Sequence, residues 1–357
     1  MEHSQLSPPK NHKLTEDIKV YRNKKENKCV NEFEIINRID EGAVWKVYHV
    51  LRYYYDEDKQ IKTKQYALKR THIMTQYKRR YFKNEKMITY LDEVFNEISI
   101  LDTLNDNSEE NSKFVIKLHE VLYNAEFPYL YLVTDFCDLG PIMQRDHINY
   151  NHFHSDKIIK FFMQRFGSKI ELQYDELDRD NTLIKKLSLP LSFKHTISKK
   201  IFKDLLLGIK YIHSKNISHR DIKIENLLYD SINDKATIID FSISSHLPSN
   251  KMINEPGGSL HYQSPEMFST ESTKGYYNPL PGDIYSLGVC MYIFIYEEFP
   301  YDDECELALQ MKILKRELKF PFDSQDKDYD EVLAAMMEKD PQKRESIDEI
   351  LTYKYFN

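Results

Sequence analysis

The sequence predicts an α+β fold built as two lobes, a small sheet-based lobe followed by a larger, mainly helical one. Three observations carry this expectation. The chain has 357 residues, enough for one large domain or two lobes with sizeable cores. Residues 33–136 hold short runs rich in Val, Ile, Tyr and Leu, which is how strands read. From about residue 195 the apolar period becomes helical.

Taken in order, residues 1–31 are rich in Lys, Asn, Glu and Pro with few apolar positions and read as a flexible extension. The first lobe is expected over 33–137, with strands at Phe33–Ile39, Val44–Val50, Gln65–Arg70, Val115–Tyr123 and Tyr129–Phe136 and one helix around Asp92–Leu104. The second lobe is expected over 138–357. There Phe202, Leu205, Leu206, Ile209 and Ile212 make one apolar stripe, and helical patterns recur around 283–296, 304–317, 328–338 and 346–353. No internal repeat is present. Two segments read as insertions: a basic, aromatic stretch at 71–90 containing Tyr77-Lys78-Arg79-Arg80-Tyr81, and a polar, acidic stretch at 145–192. Loops of that length are functional or disordered, and disorder or a solvated face is the simpler reading of both.

Composition narrows the function. Asp and Glu number 57 against 50 Lys and Arg, a formal charge of −7, which argues against nucleic-acid and general membrane-surface binding. Cys29, Cys137, Cys290 and Cys305 are scattered without a C-x-x-C pair, so a reduced cytoplasmic or nuclear setting is expected. Met1–Gln5 lack the apolar core of a signal peptide, and Glu2 replaces the glycine that myristoylation needs. The apolar run Leu287–Tyr296 is too short to span a bilayer and reads as a buried helix.

The chemistry concentrates in His219-Arg220-Asp221-Ile222-Lys223-Ile224-Glu225-Asn226, followed by Asp240-Phe241-Ser242. Leu227–Tyr229 and Ala236–Ile239 are strand-like, with turn residues 230–235 between them. Paired as a hairpin, they bring Asn226 and Asp240 together at its open end. An amide oxygen and a carboxylate there suit Mg²⁺, with Mn²⁺ as the alternative ion, and leave the remaining positions to nucleotide phosphates. Asp221 is placed to accept a proton from a substrate hydroxyl, and Lys223 to neutralise charge on the transferred group. Any one of these residues alone reads as a cap or a surface charge; the ordered set points to phosphoryl transfer.

These motifs resemble the eukaryotic protein kinase domain of serine/threonine type, over roughly 33–357. The resemblance implies a two-lobed fold: a small antiparallel sheet with a helix C, then a larger helical lobe. Tyr66-Ala67-Leu68-Lys69 is similar to the lysine motif, so Lys69 is expected on the α- and β-phosphates of ATP, paired with Glu97 of helix C. The base is expected against Ile39, Val47, Ala67 and Leu228, with hinge contacts from Asp135 and Cys137 and with Thr134 as gatekeeper. Gly42 belongs to the phosphate-covering loop. Ser264-Pro265-Glu266 resembles the Ala-Pro-Glu anchor, with Glu266 pairing Arg344, and Asp283 opens a buried helix; these three are scaffold. Ser259 is expected to bridge Asp221 and Lys223. Arg220 is expected to receive a phosphate on Ser244, Ser245 or Ser249. Leu139–Met143, the long stretch between Lys69 and Glu97, and Phe299–Asp303 resemble the calmodulin-dependent kinase kinase branch. The chain ends just past this region, so no calmodulin-binding tail is expected. Implied partners are ATP and protein substrates.

Two departures stand out. The loop pattern G-x-G-x-x-G-x-V reads Asp40-Glu41-Gly42-Ala43-Val44-Trp45-Lys46-Val47, keeping only the middle glycine, which predicts a stiffer loop. Ser242 replaces the glycine of the Asp-Phe-Gly motif, and serine resists positive φ. Both favour a rival reading as a pseudokinase, an interaction module without turnover. A small-molecule phosphotransferase is disfavoured by the long segment leading to Ser264-Pro265-Glu266.

Overall fold

The computed structural model describes residues 11–83, 86–145, 152–166, 173–174, 187–188, 190–254, 257–268, 275–321 and 326–357. The chain divides into two compact units, Met1–Phe136 and Cys137–Asn357.

The first unit is built on a sheet. Its strands are β1 (Lys13–Thr15), β2 (Val20–Arg22), β3 (Lys28–Val30), β4 (Phe33–Glu41), β5 (Lys46–Tyr55) and β6 (Ile61–His72), then β9 (Leu118–Leu122) and β10 (Tyr129–Thr134). Between them come helix α1 (Ile73–Lys78), the hairpin β7 (Arg80–Lys83) and β8 (Lys86–Thr89), and helix α2 (Tyr90–Thr103). Among the described residues the sheet runs β1-β9-β10-β6-β5-β4-β3-β2. Alternation decides its faces. Tyr66, Leu68, Tyr131 and Val133 point to one side and pack with Val30, Phe33, Val50 and Leu122 as a buried cluster. Ala67 and Lys69 take the other side; Ala67 lies opposite Thr134 of β10, and Lys69 opposite Val47 of β5.

Helix α2 starts where Thr89 and Asp92 form a capping box, Thr89 Oγ1 accepting from Asp92 N at 3.2 Å and Asp92 Oδ2 from Thr89 N at 2.8 Å. Such a box stabilises a helix start by about 1 kcal/mol. Its buried face carries Leu91, Val94, Ile98 and Leu101, with Glu97 as the charged exception.

The second unit is mainly helical. It opens with β11 (Gly140–Pro141), the hairpin β12 (Met143–Arg145) and β13 (His152–His154), helix α3 (Asp156–Phe166) and the pair β14 (Gln173–Tyr174) and β15 (Leu187–Ser188). Helix α4 (Leu191–Ser214) follows, then β16 (Ile217–Ser218), the hairpin β17 (Leu227–Asp230) and β18 (Lys235–Ile238), and β19 (Ser245–His246). Helices α5 (Pro279–Tyr296), α6 (Glu306–Lys315), α7 (Lys327–Met336) and α8 (Ile347–Ile350) complete it. Phe202, Leu205, Leu206, Ile209 and Ile212 form the buried stripe of α4, and α5 is buried nearly all round, as its continuous apolar sequence requires. No helix among the described residues is long and apolar enough to cross a membrane.

Four expectations need correction. Residues 11–30 are not a loose extension. β1 pairs in parallel with β9, Lys13 opposite Glu120, so the sheet is not wholly antiparallel. Lys13 Nζ lies 2.8 Å from a Glu120 oxygen, and Asn11 N donates to Asp102 Oδ1 at 2.8 Å. Strands of three residues are too short to show a period, and their stability comes from the edges they join. Secondly, the 71–90 stretch is structured: α1 buries Ile73 and Gln76 and leads into the β7–β8 hairpin. Thirdly, within 145–192, α3 buries Ile158, Ile159 and Phe162, and the Phe162 ring meets Tyr229 at 5.1 Å; of the acidic material at 171–178, all but residues 173–174 lie outside the described residues. Finally, β5 and β6 run past the core to Tyr55 and Ile61, beyond the expected strands, as a ribbon that exposes Tyr53, Tyr54, Tyr55 and Ile61.

Candidate active site

In the first unit the site residues gather around Lys69. Its Nζ lies 2.5 Å from Glu97 Oε1, the lysine partly buried and the glutamate buried. Glu97 is 1% exposed, and a carboxylate so buried needs donors around it. The second carboxylate oxygen, Oε2, accepts from Trp45 Nε1 at 3.0 Å. Val47, Ala67 and Thr134 share the sheet face of Lys69. Ile39 is half-exposed near the end of β4. Gly42 begins the turn to β5, its N–H donating to Trp45 O at 2.8 Å. Its φ is not positive, and an added Cβ would meet nothing closer than that carbonyl at 3.9 Å, so this turn does not depend on glycine. Asp135, just after β10, is tied back to β9 through His119 Nε2 at 2.7 Å.

In the second unit the 219–226 segment folds around Asp221. Lys223 Nζ donates to Asp221 Oδ2 at 2.6 Å; Ser259 N and Oγ donate to Oδ1 at 3.0 and 3.1 Å. Lys223 Nζ also reaches Ser259 Oγ at 3.5 Å, so the serine touches both partners. Burial pushes the Lys223 ammonium toward neutrality, yet Asp221 with Asp240 and Glu225 outweighs it and raises the pKa. That ammonium is therefore held charged at neutral pH.

Asn226 Nδ2 donates to the Asp221 carbonyl at 2.9 Å, which orients the amide and turns its oxygen away from that bond. Asn226 O accepts from Ile239 N at 3.0 Å, extending the β17–β18 ladder so that Asp240 follows directly at the open end of the hairpin. Asp240 itself has φ +67°, and Arg220 has φ +69°. Each such left-handed non-glycine residue costs on the order of 1–3 kcal/mol, and such residues cluster at functional sites. Ser242, by contrast, does not take a positive φ; its N–H lies 3.4 Å from Asp240 Oδ1. The serine thus occupies backbone that any residue adopts. His219 supports the pair of segments: Asp221 N donates to its Nδ1 at 3.3 Å, its Nε2 lies 3.0 Å from Ile239 O, and its ring stacks edge-on with Phe241 at 4.8 Å. Leu228 lies in β17, opposite Thr237, and Cys137 O accepts from Gly140 N at 3.1 Å.

Gly258 has φ +87°, and a Cβ there would fall 2.4 Å from the Arg220 carbonyl oxygen. The close approach is what delivers Ser259 to Asp221. Gly258→Ala is expected to destabilise by about 1–3 kcal/mol through strain and contact together, read as a lowered thermal midpoint, with loss of most activity because Ser259 is displaced.

Two buried anchors hold these segments. Arg344 makes a bidentate pair with Glu266, Nη1 to Oε1 at 2.6 Å and Nη2 to Oε2 at 2.9 Å. Asp283 Oδ2 accepts from Ser218 Oγ, His219 N and His213 Nε2, each at 2.9 Å, and Oδ1 from Arg220 N at 2.8 Å. Burial alone raises the Asp283 pKa, but the His213 hydrogen bond and the charges of His213 and His219, with the Arg220 amide, outweigh it and hold the carboxyl below its usual range.

Of the serines considered as phosphate acceptors, Ser244 is buried and donates to His219 O at 2.9 Å, which removes it from reach in this arrangement. Ser245 Oγ accepts from Arg220 Nη1 at 2.6 Å, and Ser249 is exposed. Sequence reading missed the contact of Trp45 with Glu97, 52 positions away, and the role of Gly258. The misplaced bulk at a glycine position was the one signal for the former.

A β-hairpin presenting an amide and a carboxylate, beside a lysine-paired aspartate, defines a phosphotransferase-like site on an α+β frame. The profile of the family described as protein kinase domain matches residues 174–356, more than half of the chain, and the chain belongs to that family. The sheet unit and the helical unit correspond to that fold's two lobes. Among curated relatives, it is 27% identical to the serine/threonine-protein kinase ppk34 of Schizosaccharomyces pombe, over 70% of this chain and 58% of the relative. It is 32% identical to the probable serine/threonine-protein kinase KIN1 homolog of Encephalitozoon cuniculi, over 46% of this chain and 28% of the relative. Identity to the serine/threonine-protein kinase SIK2 of Gallus gallus is 25%, over 74% and 26% respectively. The matched region thus spans a little over half of the first relative and about a quarter of the others. None of the three carries the calmodulin-dependent kinase kinase designation, and that finer assignment is not adopted.

Proposed function

We propose that this domain transfers the γ-phosphoryl group of ATP to serine or threonine hydroxyls of protein substrates, with Mg²⁺ or Mn²⁺ as the ion. Family membership supports the class. The observation that carries the reading is the network around Asp221, whose carboxylate is held by Lys223 and Ser259 while its backbone carbonyl accepts from Asn226.

Asp221 receives the substrate hydroxyl: Ser259 and Lys223 fix its two oxygens in direction, so the acceptor oxygen is aimed in line with the bond to be broken. Lys223, kept charged, neutralises the transferring group. Lys69, oriented by Glu97, takes the α- and β-phosphates, and within the first unit Ile39, Gly42, Val47, Ala67, Thr134 and Asp135 are the candidate nucleotide contacts. Within the second unit the candidates are Cys137 and Leu228. Asn226 and Asp240 would hold the ion; both are hard oxygen donors, and the Asn226 amide is already oriented by the Asp221 carbonyl. When bound, the ion offsets charge on the phosphate oxygens.

Calorimetry tests this directly. ATP is expected to bind with clear dependence on Mg²⁺, and Asp240→Asn to weaken that binding about tenfold or more, since one ionised ligand is lost. Equal binding with and without the cation would sink the proposal.

A further inference from the structure

Trp45 stands where the loop pattern has its third glycine, and it is the chain's single tryptophan. An indole at that place is not left in solvent: the residue is 7% exposed. Its Nε1 donates to Glu97 Oε2 at 3.0 Å, on the carboxylate whose other oxygen takes Lys69. The ring itself lies 4.8 Å from Lys69 Nζ. One side chain thus serves both members of the ion pair, its N–H facing the anion and its π face attracting the cation.

The same turn is attached to α2 a second time. Arg79 Nη1 donates to Ala43 O at 2.8 Å, and the Arg79 guanidinium lies 4.1 Å from the ring of Tyr90, the first residue of α2. The turn that a glycine-rich sequence would leave mobile is therefore fastened to α2 near its start through Arg79 and at Glu97 through Trp45. The strand geometry places Lys69 opposite Val47, two residues beyond Trp45, so turn, lysine and helix form one linked cluster.

We propose that Trp45 is a positioning residue: its indole ties the Gly42–Trp45 turn to α2 and holds the Lys69–Glu97 pair in the arrangement that receives nucleotide phosphates. This rests on the nucleotide reading given above. It assigns to the glycine-loop departure a gain, a fixed link, in exchange for lost mobility.

The test uses Trp45→Phe, which keeps a ring but removes the N–H, and Trp45→Gly, which restores the family residue. Removing one donor from a buried carboxylate is expected to lower kcat about tenfold and raise KM for ATP about threefold in Trp45→Phe, with a larger loss in Trp45→Gly. Melting temperatures of Trp45→Phe, Glu97→Gln and the double variant should be non-additive. Additive melting shifts, or kinetics of Trp45→Phe within twofold of the parent, overturn the proposal. Because there is one tryptophan, the unmodified protein also reports: saturating MgATP should change its emission, as the cation beside the ring is engaged. Unchanged emission where calorimetry shows saturation overturns the proposal without any variant. A parent that binds MgATP but transfers no phosphate removes the transfer reading alone; the positioning role then stands if Trp45→Phe binds MgATP at least threefold more weakly and falls if affinity is equal. Protein that binds no nucleotide overturns both.

Discussion

Asp221→Asn is expected to reduce phosphate transfer to a generic acceptor protein by about 10²–10⁴-fold, the range a positioned general base contributes, while folding and MgATP affinity stay close to the parent. The reason is local. Asp221 accepts from Lys223 Nζ on one oxygen and from Ser259 N and Oγ on the other. An amide offers one acceptor and one donor, so it must turn an N–H toward a group that already donates. The charge that orients a substrate hydroxyl is lost, and Lys223 loses the carboxylate that does most to keep it protonated in its buried setting. A raised Lys223 pKa contributes stability below its unfolded value near the ordinary lysine range, which is lost as pH climbs through the folded value. The small stability this contact adds at neutral pH should be missing from the variant, so the parent should lose more stability than the variant as pH climbs through the folded lysine value. Transfer within tenfold of the parent would remove Asp221 from the mechanism, and absence of transfer in both proteins would favour a non-catalytic interaction module.

Asp283→Ala should have the largest effect on stability, about 3–5 kcal/mol, the cost of breaking a buried ionic network by removing one partner. At about 2–4 °C per kcal/mol for a unit of this size, the thermal midpoint of the helical unit should fall by roughly ten degrees. Asp283 gathers the amides of His219 and Arg220, the Ser218 hydroxyl and His213, all buried or partly buried, and Ala leaves them without an acceptor. The pH dependence has a definite sign. Because the folded pKa is depressed, the contribution of Asp283 is present at neutral pH and is lost as pH falls through the folded value, below the usual carboxylate range. The parent should lose stability in that acid window and Asp283→Ala should lose correspondingly less. Matching acid profiles, or a midpoint within two degrees of the parent, would show that the amides find other acceptors.

What was legible in advance depended on sequence distance. The hairpin that joins Asn226 to Asp240 needs only two short apolar runs and a turn, so residue order reveals it. The stripe of α4 and the all-round apolar α5 follow from period alone. The strands of residues 13–30 were not legible, because three-residue strands show no alternation, and β1 is held by a partner about a hundred positions away, as Thr15 is to Leu122. α3 was overlooked because its apolar face sits inside a polar stretch and is buried only by contact with residues such as Tyr229. The serine at position 242 promised a backbone conflict that does not arise; Arg220 and Asp240, beside Asp221 and Phe241, are left-handed instead.

By itself, then, the order of residues determined the α+β class, the helical periods and the short-range constellation of Asp221, Lys223, Asn226 and Asp240, since local hydrogen bonding and turn chemistry act over a few positions. Only the tertiary structure decided that Trp45 meets Glu97, that Gly258 must lack a side chain beneath the Arg220 carbonyl, and that Asp283 gathers four donors. Those contacts join distant segments, and burial, which removes water as the competing partner, is what gives each of them its strength.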